Sequence, residues 1–103
     1  MSVLKNQIAL ITGGTRGIGN ACAQVFVEQG AQVALCGRDE ATARRVAASL
    51  GESCEGYGAD VSEPESARVL IDRVVERFGT IHILVSNAGT VDDGLIMRMR
   101  NTQ

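Results

Sequence analysis

The sequence predicts an α/β fold built on a parallel four-stranded sheet. Short apolar runs alternate with stretches in which apolar residues recur at helical spacing, and a glycine-rich turn joins the first run to the first such stretch. With right-handed crossovers, this β-α-β-α-β-α-β order gives a sheet in the order 3-2-1-4 with helices on both faces, which is part of a Rossmann fold. A chain of 103 residues is long enough for one domain and too short for two.

Four apolar runs predict the strands, at residues 7–11, 32–36, 55–59 and 81–85. Helical spacing predicts helices at residues 18–29 and 40–50 and a third that ends before Gly79. The third strand has the weakest signal, because Gly56 and Gly58 lower strand propensity. The third helix has a recognisable start, since Ser62-Glu63-Pro64-Glu65 matches a capping box with proline tolerated in the first turn.

The turn from Thr12 to Gly19 is the most informative part of the chain. Its glycines, among them Gly13, Gly17 and Gly19, leave little side-chain bulk, so backbone N–H groups can point at a phosphate from the positive end of the helix. Glycine-rich turns also occur where a chain needs a positive φ or close packing. Its position between a strand and a helix favours a pyrophosphate, as in a dinucleotide.

The end of the second strand indicates which dinucleotide is bound. Folds that bind NAD place a carboxylate there for the ribose hydroxyls, but this chain has Gly37 followed by Arg38. A carboxylate would repel the 2′-phosphate of NADP, whereas an arginine offers it charge-assisted hydrogen bonds, and Arg16 can approach the same phosphate. The sequence therefore favours NADP(H). Asp39 is the alternative, because a strand that ended one or two residues later would let its carboxylate bind the ribose of NAD.

Composition excludes several classes of function. The net charge of −2, with basic residues scattered among acids, argues against a nucleic-acid partner. No apolar stretch is long enough to span a bilayer, and the N-terminus lacks the pattern of a secretory signal. The odd number of cysteines, without Cys-x-x-Cys spacing, fits neither a disulfide framework nor a zinc site. We therefore expect a cytoplasmic protein with no membrane, nucleic-acid or metal partner.

Several residue types that often carry chemistry are expected to be structural here. Cys22 and Cys36 fall within apolar patterns and are expected to be small buried side chains. His82 precedes the fourth strand, at the end away from the expected crevice, so it is assigned a strand-edge role and no chemistry. Met97 and Met99 are expected to pack rather than to bind a metal.

Three motifs together resemble the short-chain dehydrogenase/reductase family. Thr12-Gly13-x-x-x-Gly17-Ile18-Gly19 matches the coenzyme motif of that family, Asp60-Val61 matches its dipeptide after the third strand, and Asn87-Ala88-Gly89 matches the end of its fourth strand. The resemblance covers essentially all of the chain. It implies a single, incomplete dinucleotide-binding domain over residues 1–103 that binds NADP(H). The residues it implies for the cofactor are Gly13, Thr15, Arg16, Gly17, Ile18, Gly19, Arg38, Asp60, Val61, Asn87, Ala88 and Gly89.

The segment from Asp93 to Met99 is similar to 3-oxoacyl-[acyl-carrier-protein] reductases of fatty acid synthesis. That resemblance implies an NADPH-dependent oxidoreductase that reduces a 3-oxoacyl thioester carried by acyl carrier protein. Ser86 is a minor departure, since the family usually has an asparagine there.

The larger departure is that no residue here matches the family's catalytic serine or its Tyr-x-x-x-Lys pair. Tyr57 is the only tyrosine, and the position four residues later is Val61. These 103 residues are therefore expected to be inactive alone, with the catalytic half of the protein absent. The alternative is a non-catalytic nucleotide- or partner-binding module, or a truncated reductase without function. An exposed fourth strand also predicts self-association or a partner that completes the sheet.

Overall fold

The structure is a computed structural model that describes residues 3–87. Its elements, in chain order, are β1 (Ile8–Thr12), α1 (Gly17–Glu28), β2 (Gln32–Gly37), α2 (Glu40–Leu50), β3 (Cys54–Gly58), α3 (Pro64–Phe78) and β4 (Ile83–Ser86). All seven predicted elements are present, with boundaries that differ by up to two residues. The predictions for Ala88, Gly89 and the segment from Asp93 to Met99 lie outside the described residues.

The four strands are parallel and lie in the order β3-β2-β1-β4, as the alternation of elements predicts. Side chains that alternate along the strands feed two cores. One core joins the strands to α1 and α2 through residues such as Leu35, Ala23 and Ala43. The other joins the opposite face to α3 through residues such as Leu10 and Leu70. The helices therefore cover both faces, and all four strands end at one common edge.

The capping box predicted for α3 is wrong. Glu63, not Ser62, is the residue that precedes the helix, and it makes no side-chain capping hydrogen bond. The helix starts at Pro64, whose fixed φ and missing N–H suit the first helical position. Ser62 instead donates its Oγ hydrogen to Asp60 Oδ1 at 2.6 Å, in the turn that precedes the helix. The predicted capping residue therefore lies one position before the residue that precedes the helix in the structure.

Of the two cysteines expected to be buried, Cys36 is buried and Cys22 is only partly buried. Cys36 and Cys54 are buried, and burial raises the pKa of their thiols to about 11 and about 12. His82 accepts a hydrogen bond at Nδ1 from the backbone N–H of Ile8, at 2.9 Å, and so joins β1 to the start of β4. Across residues 3–87, no helix has the length and apolarity that crossing a membrane requires.

Glu40 links the two faces of the sheet around the outer strand β3. Its Oε1 accepts hydrogen bonds from the backbone N–H of Gly58 at 3.0 Å and from Arg73 Nη1 at 2.8 Å, while its Oε2 pairs with Arg44 Nη2 at 3.0 Å. The hydrogen bond from Arg73 and then that from Gly58 lower the pKa of Glu40 to about 2. The carboxylate thus accepts the backbone N–H of Gly58, which at the edge of the sheet would otherwise be available to another strand.

We expect Glu40→Gln to lower the free energy of unfolding at neutral pH by about 1 kcal/mol, a modest figure because the carboxylate is more than a third exposed and screened by solvent. The pKa of Glu40 is lower in the folded chain than its ordinary value of 4.5. Its contribution is therefore complete above pH 4.5 and disappears as the pH falls toward 2.

Urea unfolding of both proteins at a series of pH values measures this effect. The difference between wild type and Glu40→Gln should shrink on acidification, whereas Glu76→Gln, at an exposed position of α3, should change stability little at any pH. A difference between wild type and Glu40→Gln that stays constant with pH would show that the charge of Glu40 contributes nothing.

Candidate functional site

An open groove of about 940 Å³ lies where the parallel strands end. The loops that follow all four strands reach it, as expected at the point where the order of a doubly wound sheet reverses. The residues that line it are Gly13, Thr15, Arg16, Gly17, Ile18, Cys36, Gly37, Arg38, Asp39, Thr42, Ala59, Asp60, Val61, Ser62 and Asn87.

The glycine turn forms the floor of the groove through its backbone. Gly13 and Gly17 adopt left-handed φ values of 66° and 63°, which glycine tolerates best. Gly19 is buried and faces the turn itself, since a Cβ built on it would lie 2.1 Å from the carbonyl oxygen of Gly13. The N–H of Gly14 donates to the carbonyl of Cys36 at 3.0 Å and so ties the turn to β2. The turn and the start of α1 are thereby held as one unit.

The N-termini of α1 and α2 differ in whether a side chain accepts a hydrogen bond from their first backbone N–H groups. Arg16 precedes α1 with an extended backbone and makes no side-chain capping hydrogen bond, and the first turn carries no acidic residue. Before α2, by contrast, the Asp39 carboxylate accepts the backbone N–H of Thr42 at 3.2 Å. Since helix N-termini attract anions, the start of α1 presents donors and positive potential to the groove.

Because Gly37 has no side chain, the side chain of Thr15 can lie against the end of β2. A Cβ on Gly37 would lie 2.7 Å from Thr15 Cγ2, which is tighter than real contacts allow. The strand reaches Gly37, one residue further than the predicted Cys36. A carboxylate-bearing side chain at this position is therefore incompatible with the observed place of Thr15.

Two guanidinium groups at the groove have no carboxylate partner among the described residues. Arg16 and Arg38 are both exposed, and neither takes part in any of the ion pairs formed within residues 3–87. Asp60 is the acidic side chain that senses Arg38 at longer range, although its pKa is lowered mainly by hydrogen bonds from Ser62. The two carboxylates that line the same groove, Asp39 and Asp60, accept hydrogen bonds from Thr42 and Ser62 and form no ion pair with either arginine.

Thr12 and Asn87 join the ends of β1 and β4 beside the turn. Thr12 is a completely buried polar residue, and its Oγ1 accepts the backbone N–H of Asn87 at 3.1 Å. Its hydroxyl is also 3.5 Å from the carbonyl oxygen of Val85, to which it donates. This contact places Asn87 at the mouth of the groove, near the buried face of Gly19.

The structure brings together most of the residues that the sequence identified. Nine of the predicted cofactor residues line the groove: Gly13, Thr15, Arg16, Gly17, Ile18, Arg38, Asp60, Val61 and Asn87. Gly19 does not line it and acts through close packing instead. Ala88 and Gly89 lie outside the described residues. Thr42 and Ser62 were missed, although the spacing of Thr42 from Asp39 is a helix-capping signal that could have pointed to it.

Within residues 3–87, no group of three or more His, Cys, Asp and Glu side chains is placed to hold a metal ion. The donors at the groove are instead backbone N–H groups, hydroxyls and guanidinium groups. These donors suit the phosphate groups of a ligand, whereas the carboxylates of Asp39 and Asp60, which line the same groove, can only accept hydrogen bonds when ionised.

Comparison with known proteins agrees with this geometry. The 3-oxoacyl-[acyl-carrier-protein] reductase FabG of Vibrio cholerae is 37% identical over 100 residues, which cover 97% of this chain and 41% of the relative. The FabG of Escherichia coli is 35% identical over 99 residues, covering 96% of this chain and 41% of the relative. The chain thus spans about two fifths of the length of these relatives.

A solved structure is also similar. The Pseudomonas aeruginosa RhlG/NADP active-site complex superimposes with a TM-score of 0.82 at 34% sequence identity, over 98% of this chain and 46% of that chain. The family model for short chain dehydrogenase matches residues 7–103. With the β3-β2-β1-β4 sheet and the glycine turn at its switch point, these matches show that the chain belongs to the short-chain dehydrogenase family.

Proposed function

We propose that this chain binds NADP(H) in the groove and is the cofactor-binding part of an NADPH-dependent oxidoreductase that reduces a carbonyl group. The observation that carries the proposal is the pair of exposed guanidinium groups of Arg16 and Arg38 beside Gly37, where an NAD-binding fold would have a carboxylate. The NADP complex of the P. aeruginosa neighbour supports the same choice of cofactor.

The turn and the start of α1 fit the pyrophosphate. The left-handed Gly13 and Gly17 leave the backbone accessible, and Ile18, with 74% of its surface exposed, lies in the first turn of α1. The N–H groups there would bind the phosphate oxygens with the help of the helix dipole. The absence of a side-chain cap at Arg16 leaves these donors to the ligand.

The remaining contacts follow the length of the cofactor. Thr15, Arg16 and Arg38 would bind the 2′-phosphate, and Asp60 with the buried Val61 would recognise the adenine. Asn87 would lie near the nicotinamide ribose, where the family resemblance also places Ala88 and Gly89. The bound nicotinamide supplies the hydride, so the task of these residues is to hold and orient it.

The substrate of the whole protein is proposed to be a 3-oxoacyl thioester carried by acyl carrier protein, as the names of the FabG relatives suggest.

Residues 1–103 are proposed to lack turnover by themselves. Tyr57 is their only tyrosine, and it is 7% exposed in the core beneath α3, where burial raises its pKa. It therefore cannot donate a proton at the groove.

The strand β4 lies at an edge of the described sheet and leaves apolar side chains partly uncovered. Ile83, Leu84 and Val85 are only partly buried, whereas every residue of β1 is buried. In the described sheet, β4 pairs with β1 alone. We propose that a further strand or a second copy of the chain covers this edge.

We expect Arg38→Ala to weaken NADPH binding about 10- to 100-fold, because a charge-assisted contact to the 2′-phosphate contributes roughly 1.5–3 kcal/mol. NADH binding should change little, since NADH lacks that phosphate. Titration calorimetry with each nucleotide measures both effects. The matched control is Arg77→Ala, which removes an exposed arginine of α3 that does not line the groove. Equal losses for NADPH and NADH, or none for either, would contradict the proposed site.

A further inference from the structure

A negative charge lies next to the arginine proposed to bind the 2′-phosphate. Asp39 follows Arg38 directly, is exposed and lines the same groove. A free carboxylate there would repel a phosphate and could instead accept hydrogen bonds from the ribose hydroxyls of NAD. The choice of dinucleotide therefore depends on what holds the Asp39 side chain.

The structure shows two contacts that hold it, both from Thr42. Asp39 Oδ2 accepts the backbone N–H of Thr42 at 3.2 Å and the Thr42 hydroxyl at 2.5 Å. The hydroxyl oxygen in turn lies 3.5 Å from Arg45 Nη2, which donates to it. These hydrogen bonds lower the pKa of Asp39, so the carboxylate is charged at neutral pH and its direction matters. The carboxylate is thus held against the N-terminus of α2.

We propose that Thr42 is a positioning residue that sets dinucleotide specificity: its hydroxyl holds the Asp39 carboxylate at the start of α2 and so leaves Arg38 free for the 2′-phosphate. The inference rests on the proposed NADP(H) site. It assigns the choice between NADP and NAD to a side-chain hydrogen bond as well as to the presence of an arginine.

The test compares the preference for NADPH over NADH, taken as the ratio of the two dissociation constants, in four proteins. Thr42→Val removes the hydroxyl and keeps the backbone N–H, and we expect the preference to fall about five- to tenfold, in the range for the loss of one hydrogen bond of ordinary strength. Thr42→Ser restores the hydroxyl and should keep the wild-type preference. Thr42→Val combined with Asp39→Asn removes the released charge and should recover much of it.

A preference ratio separates this role from simple support of the helix. If Thr42→Val weakened NADPH and NADH binding equally, Thr42 would only cap α2 and the inference would be wrong. If adding Asp39→Asn to Thr42→Val failed to restore the preference, the Thr42 hydroxyl would affect binding without Asp39, for example by contacting the nucleotide itself. That result would also contradict the inference. If the wild-type protein bound neither nucleotide, the proposed function would fail and the inference with it. Thermal unfolding of each variant confirms that the four proteins are compared in the folded state.

Discussion

Gly19→Ala is expected to abolish dinucleotide binding and to lower the free energy of unfolding by about 3 kcal/mol, the upper part of the usual range for overpacking. The added Cβ would lie 2.1 Å from the carbonyl oxygen and 2.9 Å from the carbonyl carbon of Gly13. Both obstructing atoms belong to the backbone, so no rotation of a side chain relieves the clash. Asn87 Nδ2, 3.0 Å away, closes the remaining side. The turn must therefore move away from α1, and the pyrophosphate site moves with it.

Gly17→Ala is the matched control in the same turn. A Cβ there meets nothing within 4 Å, but the residue has a φ of +63°. Its expected cost is the strain of a left-handed alanine, about 1–2 kcal/mol, and the turn should keep its shape. Urea unfolding and NADPH titration of both variants measure the difference. If Gly19→Ala were no more harmful than Gly17→Ala, the close approach of α1 to the turn would not be what positions the site.

Gly56→Ala is expected to cost about 3 kcal/mol by separating α2 from β3. Its Cβ would lie 2.2 Å from the carbonyl oxygen of Ala43, 2.3 Å from the carbonyl carbon of Ala43 and 2.6 Å from the backbone nitrogen of Arg44. Since α2 also carries Thr42 at the groove, a displaced helix should weaken NADPH binding as well.

Two further variants sharpen this prediction. Adding Ala43→Gly to Gly56→Ala should not restore stability, because the obstructing atoms are backbone atoms that glycine keeps. Glu52→Ala, in the exposed loop between α2 and β3, should stay within about 0.5 kcal/mol of wild type. Denaturant unfolding compares all of them. Rescue by Ala43→Gly would mean that the crowding comes from the Ala43 side chain and would refute the backbone contact.

Glycines mark the difference between what a sequence can predict and what packing decides. Gly56 and Gly58 weakened the prediction of the third strand, because glycine has low strand propensity. In the folded chain α2 packs directly against them, with Ala43 against Gly56 and Glu40 against Gly58. Propensity describes a residue in isolation, whereas the choice of glycine here depends on a helix that arrives from elsewhere in the chain.

The candidate site shows the same division. The position of Arg16 and Arg38 at the groove was predictable, because both follow strand ends and strand ends share one edge of a parallel sheet. Asp60, which also lines the groove, was predicted from its match to the family's dipeptide after the third strand. Whether Asp39 or Arg38 would serve the dinucleotide stayed open in the sequence. Only the contact with Thr42 shows that the carboxylate is held by the helix.

The order of the elements, the parallel sheet and the glycine turn at its switch point were all predictable from the sequence, since they follow from local periodicity and from the short list of allowed connections. The true start of α3, the packing role of Gly19 and the hydrogen bonds of Asp39 became visible only in the folded chain. Each of these depends on a distance between groups whose placement no local pattern contains, because they meet only when the helices close on the sheet.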